Sequence, residues 1–363
     1  MKITFLVNDT RVGVMGLRAR NFASYLAGSA EVNILYRESG KFEALKHFVR
    51  SVSENRPDLL YVMNVGYAGG GAALWALIRY GIPFVIDHGD PSYLLLKSSG
   101  RPFWEAWLVG IAEATMLRRS ALVVARGSWL ADELSRKWPD RVFFIPDGVE
   151  TDTFKPIDVT ALRQSLGLQG PLTIGVVGSI VWSERFQMCY GWDVIEAVRL
   201  LKEHRITGII VGDGDGIPHL KERVAAYGIE DLIHFAGRVA HSEVPNYINL
   251  MDVCISTQTN DSVGKSRTTA KLPEYLACGR FVIATDVGGA REVVHENGFL
   301  LPYHQGVHDA QHPQRLAEKL LWLMENPDAL KNGMAGIPIA RERYEYQQLA
   351  RRLQNALSTV GLT

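Results

Sequence analysis

The segment "KLPEYLACGRFVIATDVGGAREVV" (271–294) sets Lys271 and Glu274 at the start of a helix that stops at Gly279. An apolar strand and a Gly288-Gly289 turn follow. A carboxylate so placed can complement the positive end of the helix dipole. It can equally accept hydrogen bonds from the vicinal hydroxyls of a ribose or another sugar. In that second reading the backbone amides of Ala270, Lys271 and Leu272 meet a phosphate at the same helix start, and the Lys271 ammonium adds a full charge. One short segment could then hold the ribose and phosphates of a nucleotide together.

Other stretches have the same character. "GVVGS" (175–179) and "IVGDGDG" (210–216) leave strands with glycines, Gly178 and Gly214 among them, that permit close backbone approach. Tight turns use glycine for their own reasons as well. Asp213 and Asp215 could pair on a divalent cation, but no third ligand is apparent, so the stretch reads as a strand-end turn and no metal is expected. "VNDTRVGVMGLRAR" (7–20) places Gly13 and Gly16 ahead of a helix, with Arg18 and Arg20 close by. A sugar or phosphate could approach there, and turn geometry explains the glycines equally well. "VIDHGDPSY" (85–93) brings Asp87, His88 and Asp90 to the carboxyl end of a strand. A histidine there can bond a sugar hydroxyl or relay a proton, or simply stabilise a turn.

The elements that must position these residues alternate. "ITFLV", "EVNILY", "DLLYVMN", "PFVIDHG", "ALVVAR" and "VFFIP" read as buried parallel strands separated by helical stretches such as "LRARNFASYLA" and "GGAALWALIRYG". After a proline-bearing break near 155–170 the alternation restarts with "LTIGVVGS", "GIIVGDG", "IHFAG", "VCIST", "RFVIAT" and "GFLLP". The expected fold class is α/β, with two Rossmann-like doubly wound domains facing across a cleft. The expected bounds are 1–160, 161–345, and a C-terminal helix over 346–363 that packs back toward the first domain.

Composition narrows the class further. Lys plus Arg and Asp plus Glu are both 39, so the net charge is zero and gives nucleic acid no support as a partner. Three scattered cysteines form neither a metal pair nor a disulfide framework, which points to a cytoplasmic protein. "MKITFLVN" reads as a first strand, and no apolar run is long enough to span a bilayer. The stretch "RPFWEAWLVGIAEATMLRR" (101–119) reads as a core-facing helix of the first domain; such a helix can also lie on lipid, giving peripheral contact at the inner face of a membrane.

Together these stretches resemble the retaining glycosyltransferases of family 4 (glycosyl transferases group 1), which have the GT-B fold. The resemblance covers nearly the whole chain. Its most specific part is 271–294, with Glu274, the glycine pair and Glu292; "FFIPDGVETDTFKP" (143–156) and 212–257 add to it. It implies transfer of a sugar from a nucleotide-diphosphate donor to a hydroxyl of a carbohydrate or glycolipid, with retention of configuration and without metal. It implies no cofactor beyond the nucleotide-sugar co-substrate, here expected to be a UDP-sugar, and a polysaccharide or glycolipid pathway. Carried over by residue, Glu274 binds the donor ribose, Gly237, Arg238 and Val239 border the base, Gly16 lies beside the donor phosphate, and His88 lies near the transferred sugar. The expected catalytic set is His88, Lys271 and Glu274, with Gly178 and Gly214 on the donor side. Arg18, Tyr67, Asp90 and Tyr93 fall on the acceptor side.

Two departures stand out. Many members carry two glutamates with seven residues between them; the first position here is Ser266. The pyrophosphate-binding arginine and lysine after the "GVVGS" strand are displaced, with Tyr190 before Gly191, which leaves Arg185 as the candidate phosphate-binding cation or a solvated loop residue. These departures keep two other readings open: an epimerase of nucleotide-sugars on the same scaffold, and a nucleotide-sugar-binding protein without catalysis.

Overall fold

In a computed structural model of the chain, every apolar run quoted above forms a strand. The structure describes residues 1–98, 101–184, 186–267, 269–304 and 309–362. The first six strands are β1 (Lys2–Val7), β2 (Glu31–Tyr36), β3 (Leu59–Met63), β4 (Phe84–His88), β5 (Leu122–Ala125) and β6 (Val142–Phe144). The second six are β7 (Thr173–Val177), β8 (Thr207–Val211), β9 (Ile233–Gly237), β10 (Val253–Ser256), β11 (Phe281–Thr285) and β12 (Gly298–Leu301). Each set forms one parallel sheet, in the orders β2-β1-β3-β4-β5-β6 and β12-β11-β10-β7-β8-β9. Because helices cover both faces of such sheets, their central strands are buried on both sides and read as near-continuous apolar runs rather than alternating ones. Accordingly β3, β4, β8 and β11 are buried along their whole length.

The order of strands reverses between β1 and β3 in the first sheet and between β7 and β10 in the second. At such points the crossovers leave to opposite faces and open a crevice beyond the carboxyl ends of the strands.

The chain divides into two compact units, each with its own core. The first comprises Met1–Gly148 with Ser266, Arg267 and the stretch from Tyr346; the second holds Val149–Lys265 and the chain from Thr269 to Glu345. The change of unit after Gly148 comes earlier than 160 for a packing reason. Val149 and Phe154 are buried with Met251, Tyr275 and Tyr344, and the Val149 amide donates to the Tyr344 carbonyl at 2.9 Å. The helix Tyr346–Thr359 buries Leu349, Leu353 and Leu357 against Phe22 and Leu26 of the helix Val14–Leu26, with Tyr346 edge-on to Phe22 at 5.9 Å.

Candidate functional site

In the second unit the loops after β7, β8 and β9 lie side by side. The Gly178 amide donates to the Val211 carbonyl at 3.0 Å, Gly212 to Gly237 at 2.9 Å, and Ile180 to Asp213 at 3.0 Å. Gly178 (φ 151°) and Gly212 (φ 137°) hold positive φ, which a Cβ disfavours. A Cβ on Gly212 would also strike the Gly178 carbonyl oxygen, and one on Gly214 the Ile180 carbonyl. These glycines therefore let two loops pack backbone to backbone. Gly237 differs, since nothing stands within 4 Å of an added Cβ; Arg238 beside it is exposed and Val239 half-buried. The two carboxylates of the "DGD" turn serve the loops themselves: Asp213 accepts from the Gly214 amide at 2.8 Å and Asp215 from the Trp182 amide at 2.7 Å.

Lys271 opens the short helix Lys271–Ala277 and is buried. Its ammonium nitrogen stands 3.6 Å from the centroid of the Tyr190 ring, and 3.4 Å from where a Cβ on Gly178 would lie. A cation over an aromatic face is attracted by the ring quadrupole, and more strongly once water is excluded. Tyr190 is fixed in turn: Gln258, just beyond β10, donates to its hydroxyl at 2.6 Å. The Gln258 amide donates to the Thr285 hydroxyl at 2.8 Å, and that hydroxyl donates back to the Gln258 carbonyl at 3.1 Å. Tyr275 fastens the helix to the end of β7 by accepting from the Val177 amide at 3.0 Å. Burial keeps its phenol well above the usual range. Lys271, Gly178, Tyr190 and Gln258 thus meet at the β7/β10 reversal.

Glu274, one turn along the helix, is half-buried. Burial first, and then the Glu274 charge, push the Cys278 thiol up to about 12. The expected cradle of three amides is reduced, because the Leu272 amide already donates to the Thr269 carbonyl at 3.1 Å. Ala270 is the residue immediately before the helix, in right-handed helical conformation. Ser266 belongs to the first unit, is fully buried and lies against Gly127, where a Cβ would strike its carbonyl. Arg185 lies outside the described residues.

The first unit corrects one expectation. Arg18 is buried in the core instead of facing an acceptor. Its guanidinium donates to Asp87 at 3.0 Å, to the Pro146 carbonyl at 2.6 Å and to the Ile145 carbonyl at 2.9 Å, with Asp147 at 3.4 Å. Burial works to lower its pKa, yet Asp87 and Asp147 hold it above the ordinary value. Arg126 joins the group, 3.6 Å from Asp87 and 3.5 Å from Asp147, and Tyr61 donates to Asp87 at 2.8 Å. At Gly16 a Cβ would strike the carbonyl oxygens of Thr10 and Arg11, so only glycine lets the chain before the helix fold this close.

His88 is buried, with its Nε2 3.1 Å from Glu113. Glu113 also accepts from the amides of Ser92 at 3.2 Å and Tyr93 at 2.9 Å, so one carboxylate holds the histidine and the start of the helix Ser92–Ser98. Asp90 accepts from Arg267 at 2.7 Å. Burial would raise the Asp90 pKa, but Arg267 and Arg126 keep it below the usual carboxylate range. Tyr67 is half exposed at the start of the helix Tyr67–Tyr80, edge-on to Phe42 at 5.3 Å. At the β1/β3 reversal Asn8 donates to the carbonyls of Met63 at 3.2 Å and Asn64 at 2.9 Å, and accepts from the Gly69 amide at 2.8 Å.

Gln258, Glu113, Arg126 and Asn8 escaped the sequence reading. Gln258, Arg126 and Asn8 each stand at or just past the carboxyl end of an apolar strand, a position that could have marked them. Glu113 is a lone acid on the buried face of a helix, a signal visible only once that face is known.

Residues 8–148 match the family described as glycosyl transferase 4-like domain, and residues 171–326 match glycosyl transferases group 1. The chain is 29% identical over 259 residues to 2-deoxystreptamine N-acetyl-D-glucosaminyltransferase of Streptomyces fradiae, across 66% of this chain and 57% of that protein. It is 28% identical over 258 residues to D-inositol 3-phosphate glycosyltransferase of Xylanimonas cellulosilytica, with the same shares of 66% and 57%. It thus spans little more than half the length of the curated relatives it matches. The fold of Anabaena Alr3699/HepE, solved in complex with UDP-glucose, is shared at a TM-score of 0.77 over 99% of this chain and 100% of that one, at 19% identity.

Proposed function

We propose that this chain, of the GT-B glycosyltransferase type by its fold and by both domain matches, moves a sugar from a nucleotide-diphosphate donor to a hydroxyl of a carbohydrate or glycolipid. Retention of configuration, a UDP-sugar as co-substrate and independence of metal are parts of the same proposal. The observation that carries it is the buried Lys271 ammonium beside the Gly178 turn at the β7/β10 reversal, within the residues matched to group 1. Ligands of open α/β sheets bind in that crevice. As the glycosidic bond breaks, negative charge grows on the leaving diphosphate. A fixed cation in a site of low dielectric stabilises that charge without reorganising. The Tyr190 ring holds Lys271 in place for this role. The solved complex of HepE with UDP-glucose supports UDP as the carrier.

Glu274 takes the donor ribose in this reading, and the open face at Gly237, with Arg238 and Val239, borders the base. The departing phosphate accepts the proton of the incoming hydroxyl on the same face of the sugar, so no separate base is required. His88, buried against Glu113, acts through the placement of Ser92 and Tyr93. A glycolipid acceptor would bring the first unit to a lipid surface at the cytoplasmic side of a membrane.

The test is calorimetric titration with UDP, GDP, ADP and their sugars, with and without magnesium, on the wild type, Lys271→Met and Glu274→Ala. Selective binding of one nucleotide, independent of magnesium and weakened by both substitutions, is the expected result. Failure of the wild type to bind any nucleotide would overturn the reading. Turnover of a nucleotide-sugar with no acceptor present would replace transfer by epimerisation.

A further inference from the structure

The helix Phe103–Arg119 packs Met116 and Leu117 into the core of the first unit, as expected, and turns its aromatic side outward. Ala106, Glu113, Met116 and Leu117 are its buried residues, with Met116 seated against Gly70. Phe103 (78% exposed), Trp104 (63%), Trp107 (53%), Leu108 (52%) and Ile111 (47%) stand in solvent. Trp104, Trp107, Leu108 and Ile111 follow the spacing of one helical face, so they form a stripe about 12 Å long with Phe103 at its head. Single exposed apolar residues need no explanation, whereas a contiguous stripe of this kind marks an interaction surface.

The charges around the stripe select the partner. Between residues 101 and 119 every exposed residue is apolar, threonine or arginine, with Arg101 at one end and Arg118 and Arg119 at the other. Glu105, half-buried beside the stripe, lies 3.9 Å from Arg101. The chain as a whole is neutral, so this concentration of positive charge is local. Two indoles with arginines at both ends suit the boundary between headgroups and acyl chains. No helix among the described residues is long and apolar enough to cross a bilayer, so contact through this one would be in the plane of the surface.

We propose that the helix Phe103–Arg119 docks the protein on an anionic lipid surface, its apolar stripe lying in the interface and its arginines among the headgroups. The inner face of the same helix presents Glu113, which holds His88 and the amides of Ser92 and Tyr93. Docking therefore sets these residues near the bilayer, where a lipid-linked acceptor would arrive. The docking itself stands without the transferase reading.

The test is co-sedimentation of the full chain with phosphatidylcholine vesicles, with and without phosphatidylglycerol. The wild type should pellet with the anionic vesicles and be released by salt. Trp104→Ser with Trp107→Ser should lower the partition about tenfold or more at every salt concentration. Arg118→Ser with Arg119→Ser should lower it about 30-fold at low salt and little at high salt. Circular dichroism and nucleotide titration, both expected to match the wild type, separate loss of docking from loss of fold or of the donor site. Absence of wild-type binding to anionic vesicles, or binding that neither pair changes, would overturn the proposal. So would a wild-type dimer in light scattering that the tryptophan pair dissociates, which would make the stripe a contact between copies of this chain.

Discussion

The two sheets reverse strand order in the same way and finish that reversal differently. At β1/β3 stands Asn8, whose side-chain amide donates to the carbonyls of Met63 and Asn64 and accepts from the Gly69 amide. At β7/β10 the corresponding place holds a lysine ammonium on an aromatic face, with a glycine turn beside it. The buried cations differ in the same sense. Arg18 is fastened by two carboxylates and two carbonyls, so its charge is consumed within the fold. The Lys271 ammonium stands 3.6 Å from the centroid of the Tyr190 ring, whose face attracts a cation, and beside the Gly178 turn. Both charges are buried, and the fold sets one among carboxylates and carbonyls and the other beside an aromatic face and a glycine turn.

Breaking the first member of this comparison should give the largest effect. Arg18→Met leaves Asp87 and Asp147 buried without their principal cation and should cost about 3–5 kcal/mol in urea unfolding. Nucleotide affinity of the protein that remains folded should be unchanged. A cost below about 1 kcal/mol, accompanied by lost transfer, would return Arg18 to the acceptor side. Lys271→Met keeps the buried stem and removes the charge. Turnover should fall about 10²–10³-fold while the unfolding midpoint moves little. Destabilisation equal to that of Arg18→Met, with turnover kept, would make both cations structural and dissolve the distinction.

All twelve strands could be read from the sequence, since a strand buried on both faces must be a short apolar run bounded by turn residues. The region of Lys271 and Gly178 was legible for a related reason: glycine at the end of such a run, and a charge at a helix start, are local patterns. The fate of Arg18 was not. Its partners lie 69 and 129 residues away, and no local spacing distinguishes an arginine turned inward from one turned to a ligand. Which face of the 101–119 helix packs was not legible either, because apolar residues occupy both sides of it and periodicity alone does not choose between them. Glu113, on the packed face, was missed for the same reason.

Smaller effects sharpen the contrast between loops packed on one another and a loop left open. Gly212→Ala would force its Cβ into the Gly178 carbonyl at an unfavourable φ and should cost about 1–3 kcal/mol in thermal unfolding. Gly237→Ala meets only the φ penalty, about 1–2 kcal/mol, because the space beside it is empty. Equal costs would mean that the two loops part easily, and that the site walls are softer than their hydrogen bonds imply.

The smallest effect concerns acid, where one carboxylate from each unit should respond with opposite sign. Asp90 in the first unit has its folded pKa held down by Arg267 and Arg126 against the effect of burial. Its contribution is complete above the unfolded value, about 3.9, and is lost as pH falls through the lower folded value. Asp90→Asn should therefore flatten the acid limb of the stability curve. Asp252 in the second unit has its pKa raised, chiefly by burial, although it accepts from the Thr173 amide at 2.8 Å. Its contribution is complete below the unfolded value and is lost as pH rises through the folded one. Asp252→Asn retains an acceptor for Thr173 and removes the charge, so the stability gap between variant and wild type should move in the variant's favour as pH rises. Urea midpoints measured from about pH 3 to pH 7 separate the two signs. Parallel curves for Asp90→Asn and wild type would show that Arg267 does not hold Asp90 in solution, and with that the anchoring of the 266–267 segment in the first unit would fall.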